Sequence, residues 1–183
     1  MNYLISYPRS GNTMTRYLIE LMTHKPTNGL CGKPNAKDNL QQPLIYKTSN
    51  DFVLHKRHDF RKVLPEDMVI FIIRDPLEAI IRHNERPRGI AMEQMYRYID
   101  GWYFLLNGYD QHKGNKMCLY YEEVQKIAAK ESRAIYRGAE SRGPDWHKSK
   151  LGADNVGKLI DFMRANFSNI YDNYIKYKIE GYE

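Results

Sequence analysis

The sequence predicts an α/β protein of three layers (α/β/α), in which a central parallel sheet lies between two layers of helices. Short apolar runs of strand length recur along the chain, and segments with the periodicity of amphipathic helices lie between them. Strands that alternate with helices are typical of a parallel sheet that is covered on both faces. The chain of 183 residues is long enough to bury its own core, and we expect a single domain over 1–183.

The first predicted strand is YLISY at 3–7, and the turn that follows it is informative about function. Gly11 allows a tight bend, and the helix predicted over 13–23 directs the positive end of its dipole toward the turn. Side chains that can donate hydrogen bonds surround the bend, namely Arg9, Ser10, Asn12 and Thr13. The turn therefore predicts a site for a phosphate or a sulfate. It lacks the pattern G-x-x-x-x-G-K-[ST], which disfavours an ordinary nucleotide triphosphatase.

The later elements follow from the same two patterns. Three further apolar runs predict strands, at 43–48, 68–73 and 116–121. Three more segments have helical periodicity, at 93–106, 154–166 and 168–178. We interpret 25–43 as a long surface loop because it is rich in Pro, Gly, Asn and Lys. The helical pattern that begins near Glu122 is interrupted at 137–152, RGAESRGPDWHKSKLG, which we interpret as a second loop.

Basic residues stand at the ends of the predicted strands. Arg9 follows the first strand, Lys47 lies at the end of the second and Arg74 follows the third. In a parallel sheet these positions meet at one edge, where ligands bind. The net charge of +6, from 28 Lys and Arg against 22 Asp and Glu, also favours an anionic partner. The sequence therefore predicts a cleft that binds a negatively charged ligand.

The composition also excludes several classes of protein. Cys31 and Cys118 form neither a zinc pattern nor a disulfide framework, which is typical of a reducing compartment. No apolar segment has the length of a signal peptide or a membrane span, so we expect a cytoplasmic protein that does not bind membranes. The sequence has no cluster of carboxylates or histidines that indicates a metal. Its 15 tyrosines lie largely at helical spacing, which favours core packing over stacking on nucleic acid.

Four motifs resemble, in order, those of the sulfotransferases that use 3′-phosphoadenosine 5′-phosphosulfate (PAPS). They are YPRSGNT at 7–13, IIRDPLEAIIRH at 72–83, LYYEEV at 119–124 and RGAESRGPDWHKSKLG at 137–152. The resemblance implies a P-loop-like sulfotransferase architecture that needs no metal. It also implies transfer of a sulfuryl group from PAPS to a hydroxyl or amine of a small molecule, glycan or peptide, with adenosine 3′,5′-bisphosphate as the product. The small size favours a microbial or viral enzyme.

The resemblance implies roles for individual residues in nucleotide binding. Arg9 would lie beside the leaving phosphate. The 5′-phosphate would be bound by the amides of Ser10, Gly11 and Asn12 and by the hydroxyl of Thr13. The 3′-phosphate would be held by Arg74, and by Arg82 where the family usually has a serine. Tyr121 would lie near the adenine, and Met14 stands where an aromatic residue often stacks on it. The late loop would contact the phosphate through Arg137 or Arg142, with Gly143 beside it.

The general base is the position at which this chain differs most from the family. Many members end the second strand with Lys-Thr-His, whereas this chain reads Lys47, Thr48, Ser49. Lys47 would stabilise the charge of the transferred group. His55 and His58 follow a few residues later, and an imidazole of either has a suitable pKa for the base.

Two other classes of function fit part of the sequence. A P-loop kinase with a degenerate loop would need Mg²⁺ and a lysine directly before a serine or threonine, and Arg9 and Ser10 come too early in the turn for those roles. A binding module, either a non-catalytic nucleotide-binding protein or a basic protein that binds nucleic acid, is the other alternative. The acceptor of a transferase would bind between the segments 25–43 and 84–92, which carry no family motif.

Overall fold

A parallel sheet forms the centre of the protein. The structure, a computed structural model, describes residues 1–29, 52–84, 91–131 and 142–168. The strands in these ranges are β1 (Asn2–Ser6), β2 (Thr27–Asn28), β3 (Leu54–Arg57), β4 (Met68–Ile73) and β5 (Lys116–Tyr120). The helices there are α1 (Asn12–Thr23), α2 (Pro76–Asn84), α3 (Met92–Gln111), α4 (Tyr121–Glu131), α5 (Gly143–Leu151) and α6 (Ala153–Asn166). The strands pair in parallel in the order β2-β3-β1-β4-β5, which confirms the predicted α/β class.

Helices cover both faces of this sheet. On one face, Tyr3 and Ile5 of β1 pack in a core with side chains of α2, α3 and α6. On the other face, Leu4 packs with Met14 and Leu18 of α1 and with side chains of α4. Alternate residues of one strand therefore enter different cores, which is why the strand is a continuous apolar run in the sequence. This arrangement confirms the three predicted layers.

The chain leaves the two central strands in opposite directions. α1 follows β1 and packs on the face that carries Leu4, whereas α2 follows β4 and packs on the face that carries Ile5. In open parallel sheets, a crevice forms at such a point beyond the carboxyl ends of the strands, and ligands bind there. Here the rule selects the carboxyl ends of β1 and β4, where the loop at 7–11 and the start of α2 lie side by side, and this region is called the crevice below.

The strongly periodic segments were predicted correctly. The predicted strands at 3–7, 68–73 and 116–121 correspond to β1, β4 and β5. The predicted helices at 13–23, 93–106 and 154–166 correspond to α1, α3 and α6. The strand predicted at 43–48, and all but the first residue of the helix predicted at 168–178, lie outside the described residues.

Two predicted loops contain regular structure, and one strand was not predicted. The loop expected at 25–43 includes β2, and the loop expected at 137–152 includes α5. Proline in the first turn of α5 does not interrupt the helix, because its fixed φ suits that position and no N–H is needed there. β3 has the polar sequence LHKR, in which Leu54 alone is buried, so it lacks the apolar run that identifies the other strands.

The longest helix in the described ranges is α3, with 20 residues. One side of it, which includes Met95, Ile99, Trp102 and Leu106, is buried in the core, whereas Phe104 on another side is exposed. Neither α3 nor any other helix in the described ranges is both long and apolar enough to cross a lipid bilayer.

Candidate functional site

The loop between β1 and α1 has a left-handed backbone at two positions, of which Arg9 is strained. Arg9 has φ 67° and Gly11 has φ 82°, which are left-handed conformations. For a residue other than glycine this conformation costs about 1 to 2 kcal/mol, and such strain is common at functional sites. Left-handed residues in a turn can form a concave surface lined by backbone N–H groups, to which anions bind. The first turn of α1 adds N–H groups that have no partner within the helix.

Gly11 is required at its position for a second reason besides its φ. A Cβ atom added there would lie 2.4 Å from Cδ2 of Tyr121. Tyr121, the first residue of α4, is 2% exposed and lies directly behind the loop. The loop backbone therefore packs against an aromatic ring without room for a side chain between them.

Buried polar atoms near the loop have no hydrogen-bond partner among the described residues. They are Oγ of Ser10, Oδ1 of Asn12 and Nε of Arg74. A buried polar group without a partner costs about 1 to 3 kcal/mol, so such groups are rare unless water or a ligand binds them. The N–H of Ser10, which we expected to bind the 5′-phosphate, donates instead to the carbonyl of Tyr7 at 3.2 Å. The expected amide contacts are therefore reduced to those of Gly11 and the start of α1.

Arg74 follows β4, and its side chain is directed into the protein. Nη1 donates to the carbonyl oxygen of Arg9 at 2.7 Å, and Nη2 donates to Oε1 of Glu78 at 2.6 Å. The guanidinium carbon lies 3.9 Å from the centre of the Tyr121 ring. Arg74 is 3% exposed, so it supports the loop from below and has little surface for a ligand. Arg9 itself is exposed at the tip of the loop.

Glu78 in α2 accepts hydrogen bonds from several elements. Oε1 accepts from Nη2 of Arg74 and from Nε of Arg82 at 2.8 Å, and Oε2 accepts from the N–H of Arg142 at 3.0 Å. Nε2 of His147 lies 3.6 Å from Oε2. Burial would raise the pKa of Glu78, but His147, Arg74 and the other donors hold it at about 2. Glu78 is therefore ionised at neutral pH and connects α2 with α5.

Basic side chains surround the ring of Trp146 in α5. The guanidinium carbons of Arg82 and Arg142 lie 5.6 and 5.0 Å from the ring centre, and Nζ of Lys150 lies 5.7 Å from it. Gly143 begins α5 directly after Arg142, so the positive end of the helix lies beside the same cluster. The structure thus brings together three predicted nucleotide contacts, Arg82, Arg142 and Gly143. Lys150, which was not predicted, joins them.

His58 lies directly after β3, at the edge of the sheet that carries the loop. Its Nδ1 lies 2.6 Å from the carbonyl oxygen of Ser6, so Nδ1 carries a proton and donates it. Burial lowers the pKa of His58 below 6.5, and Lys56 and His83 act in the same direction against the hydrogen bond to Ser6. His58 is therefore neutral at pH 7, and Nε2 is the nitrogen that can accept a proton.

His55, the other candidate base, lies within β3 and not at its end. It is paired with Tyr3 of β1, and its Nδ1 lies 3.2 Å from Nδ2 of Asn28. A strand rises about 3.3 Å per residue, so the Cα of His55 is about 10 Å from that of His58. The structure brings His58 to the edge that carries the loop and leaves His55 away from it.

β3 also carries a lysine that was not among the predicted site residues. The last two residues of the strand and the residue after it are Lys56, Arg57 and His58. The lysine and the histidine therefore have the same spacing as in the Lys-Thr-His pattern with which many sulfotransferases end their second strand. Lys56 is half-buried, and its charge acts on His58. The sequence contains these residues as HKRH at 55–58, but a segment this polar does not have the apolar run by which a strand is predicted. Lys47 lies outside the described residues.

The remaining predicted nucleotide contacts lie in different surroundings. Thr13 is half-buried in the first turn of α1. Met14 is 5% exposed and packs in the core, and Tyr121 is 2% exposed with Arg74 over its ring. Neither side chain presents an open face to an adenine. Arg137 lies outside the described residues.

Comparison of the sequence with protein-family models finds no matching family, and comparison with curated proteins finds no significant match. Within the ranges that the structure describes, no group of three His, Cys, Asp or Glu residues is arranged to hold a metal ion.

Proposed function

We propose that this protein is a sulfotransferase that uses PAPS as the donor and a hydroxyl or amine as the acceptor. The observation that supports it most is that a strained loop, a cluster of basic residues and a neutral histidine lie around one crevice. PAPS has a phosphosulfate on its 5′ side and a phosphate on its 3′ side, so it requires two anion sites in one crevice. The loop at 7–11 fits the first requirement, and the cluster around Trp146 fits the second.

The phosphosulfate would bind at the loop between β1 and α1. Its oxygens are hydrogen-bond acceptors, which suits the N–H groups of Gly11 and Asn12 and the hydroxyl of Ser10. Arg9 is exposed at the tip, where its guanidinium can reach the oxygen that bridges sulfur and phosphorus. Arg74 holds the carbonyl of Arg9 and so supports the loop in its left-handed conformation.

The 3′-phosphate would bind beside Trp146. Arg82 and Arg142 supply guanidinium groups there, Lys150 adds an ammonium group, and Gly143 begins the helix α5. Guanidinium groups bind phosphate through two parallel hydrogen bonds, which gives both affinity and orientation. Arg74 would contribute to this site mainly through Glu78.

His58 would act as the general base. As the oxygen or nitrogen of the acceptor bonds to sulfur, the proton of that hydroxyl or amine passes to Nε2 of His58. The bond between sulfur and the bridging oxygen breaks, and the electron pair remains on the 5′-phosphate. Arg9 and the loop N–H groups stabilise that charge, which grows in the transition state. PAPS supplies the sulfuryl group, and adenosine 3′,5′-bisphosphate is released.

A P-loop kinase is the second candidate, because a loop between a strand and a helix also suits the phosphates of ATP. In the P-loop pattern, however, a lysine stands directly before the serine or threonine at the start of the helix, and here Gly11 precedes Asn12. A nucleotide-binding protein without catalytic activity would share the anion sites and lack turnover.

Thermal unfolding with different nucleotides tests the proposal. Adenosine 3′,5′-bisphosphate without Mg²⁺ should raise the melting temperature. At a concentration of about 100 times Kd, the stabilisation is about 2.7 kcal/mol, which shifts Tm by several degrees. Stabilisation by ATP and Mg²⁺ alone would favour the kinase, and stabilisation by neither nucleotide would contradict both enzymes. Transfer of labelled sulfate from PAPS to an acceptor then separates the transferase from a binding protein.

A further inference from the structure

Glu78 is a buried carboxylate that lies among the basic residues of the crevice. It is 1% exposed, and its two oxygens face different elements. Oε1 faces Arg74 at the end of β4 and Arg82 in the last turn of α2. Oε2 faces the N–H of Arg142 and the ring of His147, which belong to the start and the middle of α5. One side chain therefore connects three parts of the crevice.

The negative charge of Glu78 is unexpected at a site that would bind a negative phosphate. A negative charge near a bound phosphate repels it, so Glu78 taken alone weakens binding. The same carboxylate, however, holds Nε of Arg82 at 2.8 Å and so sets the orientation of that guanidinium beside Trp146. It also holds the N–H of Arg142 at 3.0 Å, which sets the position at which α5 begins.

We propose that Glu78 is the positioning residue of the nucleotide site: its carboxylate fixes Arg82 and the first turn of α5 in the arrangement that distinguishes a 3′-phosphate. This inference rests on the proposed function, because it assumes that the cluster around Trp146 binds that phosphate. It assigns to a negative side chain a favourable effect on the binding of a negative ligand. Arg74, which shares Oε1 with Arg82, connects the same carboxylate to the carbonyl of Arg9.

The substitution Glu78→Gln places an NH₂ group where one of the two carboxylate oxygens accepts hydrogen bonds, whichever way the amide is turned. Glutamine has one acceptor oxygen and one donor NH₂ group. If the oxygen faces Arg74 and Arg82, the NH₂ group faces the N–H of Arg142, and donor meets donor. In the opposite orientation the NH₂ group faces the two arginines. The variant therefore loses part of the arrangement while its side chain keeps nearly the same volume.

The test is the ratio of two dissociation constants, those of adenosine 5′-monophosphate and adenosine 3′,5′-bisphosphate, measured by titration calorimetry. One charge-assisted contact to the extra phosphate makes this ratio about 10 to 100 in the native protein. In Glu78→Gln, we expect the ratio to fall at least about tenfold because Arg82 and Arg142 lose their positions. A partly unfolded sample lowers both apparent affinities by the same factor, so the ratio is insensitive to stability alone.

Glu20→Gln is the matched control. Glu20 is also a fully buried glutamate, in α1, and it accepts hydrogen bonds from the N–H and hydroxyl of Thr27. Its substitution removes the same charge away from Trp146 and should leave the ratio unchanged. A ratio in Glu78→Gln that is unchanged or higher, or that falls equally in Glu20→Gln, would overturn the positioning role. Equal affinities for both nucleotides in the native protein would instead contradict the proposed function.

A second variant keeps the inference testable if Glu78→Gln does not fold. Arg82→Lys retains the positive charge, but a single ammonium group cannot both pair with Glu78 and present a planar fork to a phosphate. We expect the ratio in Arg82→Lys to fall by about tenfold. A ratio equal to that of the native protein would show that the orientation set by Glu78 is not needed.

Discussion

At the scale of single residues, side chains of the same type lie in different surroundings. His58 is at the edge of the sheet with Nδ1 bound to a backbone carbonyl, whereas His55 lies within β3 between aromatic rings. Arg74 is buried under the loop, whereas Arg9 is exposed at its tip. Position relative to the crevice therefore separates residues that the sequence alone leaves equivalent.

His58→Gln should lower kcat by about 100-fold to 10,000-fold, because the acceptor proton loses its base. Its affinity for adenosine 3′,5′-bisphosphate should not change. If the proposed transfer takes place, kcat of the native protein should decrease as the pH falls through the pKa of His58, which burial places below 6.5. Steady-state kinetics between pH 5 and 8 with a working acceptor check both statements.

His55→Gln serves as the control for this prediction and should change kcat by only a few-fold. Equal losses in the two variants would mean that the histidines act through the structure of β3. A rate in His58→Gln that still decreases at low pH as in the native enzyme would assign the titration to another group.

The sequence identifies some of these residues and not others, for physical reasons. Arg9 and Gly11 were predicted because the chemistry of a turn is local, and a few neighbouring residues define it. Glu78 was not predicted, because an isolated glutamate in a helix is usually solvated. One of its hydrogen-bond donors, the N–H of Arg142, is 64 residues away in the chain.

At the scale of elements, periodicity predicted those segments whose environment is uniform. β1 and β4 are buried on both faces, so the sequence contains continuous apolar runs. β3 is partly exposed and polar, and α5 begins with glycine and proline, so neither has a pattern that distinguishes it from a loop. His58 follows one of these elements and Trp146 belongs to the other, so their places in the site became visible only in the structure.

The junction of β1 and α1 should be sensitive to an added methyl group at Gly11. Gly11→Ala combines a left-handed φ with a contact of 2.4 Å to Tyr121, so it should destabilise the protein. We expect a loss of about 2 to 5 kcal/mol, the sum of backbone strain and overpacking. Urea denaturation of the variant measures this loss.

Gly157→Ala is the matched control, in an exposed position of α6 where an added Cβ contacts nothing within 4 Å. Alanine is favoured over glycine inside a helix, so this variant should be more stable by about 0.5 to 1 kcal/mol. A Gly11→Ala variant as stable as the native protein would mean that the loop adopts another conformation in solution.

At the scale of the whole molecule, stability should depend on pH through two carboxylates at the start of α2 that face His147 of α5, Asp75 and Glu78. Burial raises the pKa of Asp75 to about 6, although His147 acts in the opposite direction. The folded protein therefore keeps a proton that the unfolded chain loses above pH 4, and stability decreases as the pH rises from about 4 to 6. Glu78 has the opposite effect, because its pKa is lowered to about 2 in the folded protein. Its ionised carboxylate stabilises the fold at neutral pH, and this stabilisation is lost as the pH falls below about 4.5.

Asp75→Asn should remove the first of these effects. Oδ1 of Asp75 accepts hydrogen bonds from the N–H groups of Leu77 and Glu78, and the amide oxygen of asparagine can accept the same bonds. Relative to the native protein, the variant should become more stable by about 1 to 3 kcal/mol as the pH rises from 4 to 7. Denaturation at several pH values measures the trend.

Asp59→Asn provides the contrast on the surface. Burial would raise the pKa of Asp59, but hydrogen bonds from Arg57 and Arg61 hold it at about 2. This carboxylate is ionised in both the folded and unfolded protein above pH 5, so the effect of its substitution should be constant between pH 5 and 7. A parallel trend in Asp75→Asn and Asp59→Asn would contradict the assignment of the pH dependence to Asp75.

The basic cluster around Trp146 has a spectroscopic consequence. The protein contains two tryptophans, and Trp102 is 2% exposed in the core, so we expect an anion at the crevice to leave the polarity around it unchanged. Trp146 is half-buried with cations over its ring, and its emission depends on the electric field that those cations create. A bound anion that neutralises the field would change the emission of Trp146 alone. The intrinsic fluorescence of the protein therefore contains both a reporter of anion binding and an internal reference, without any added label.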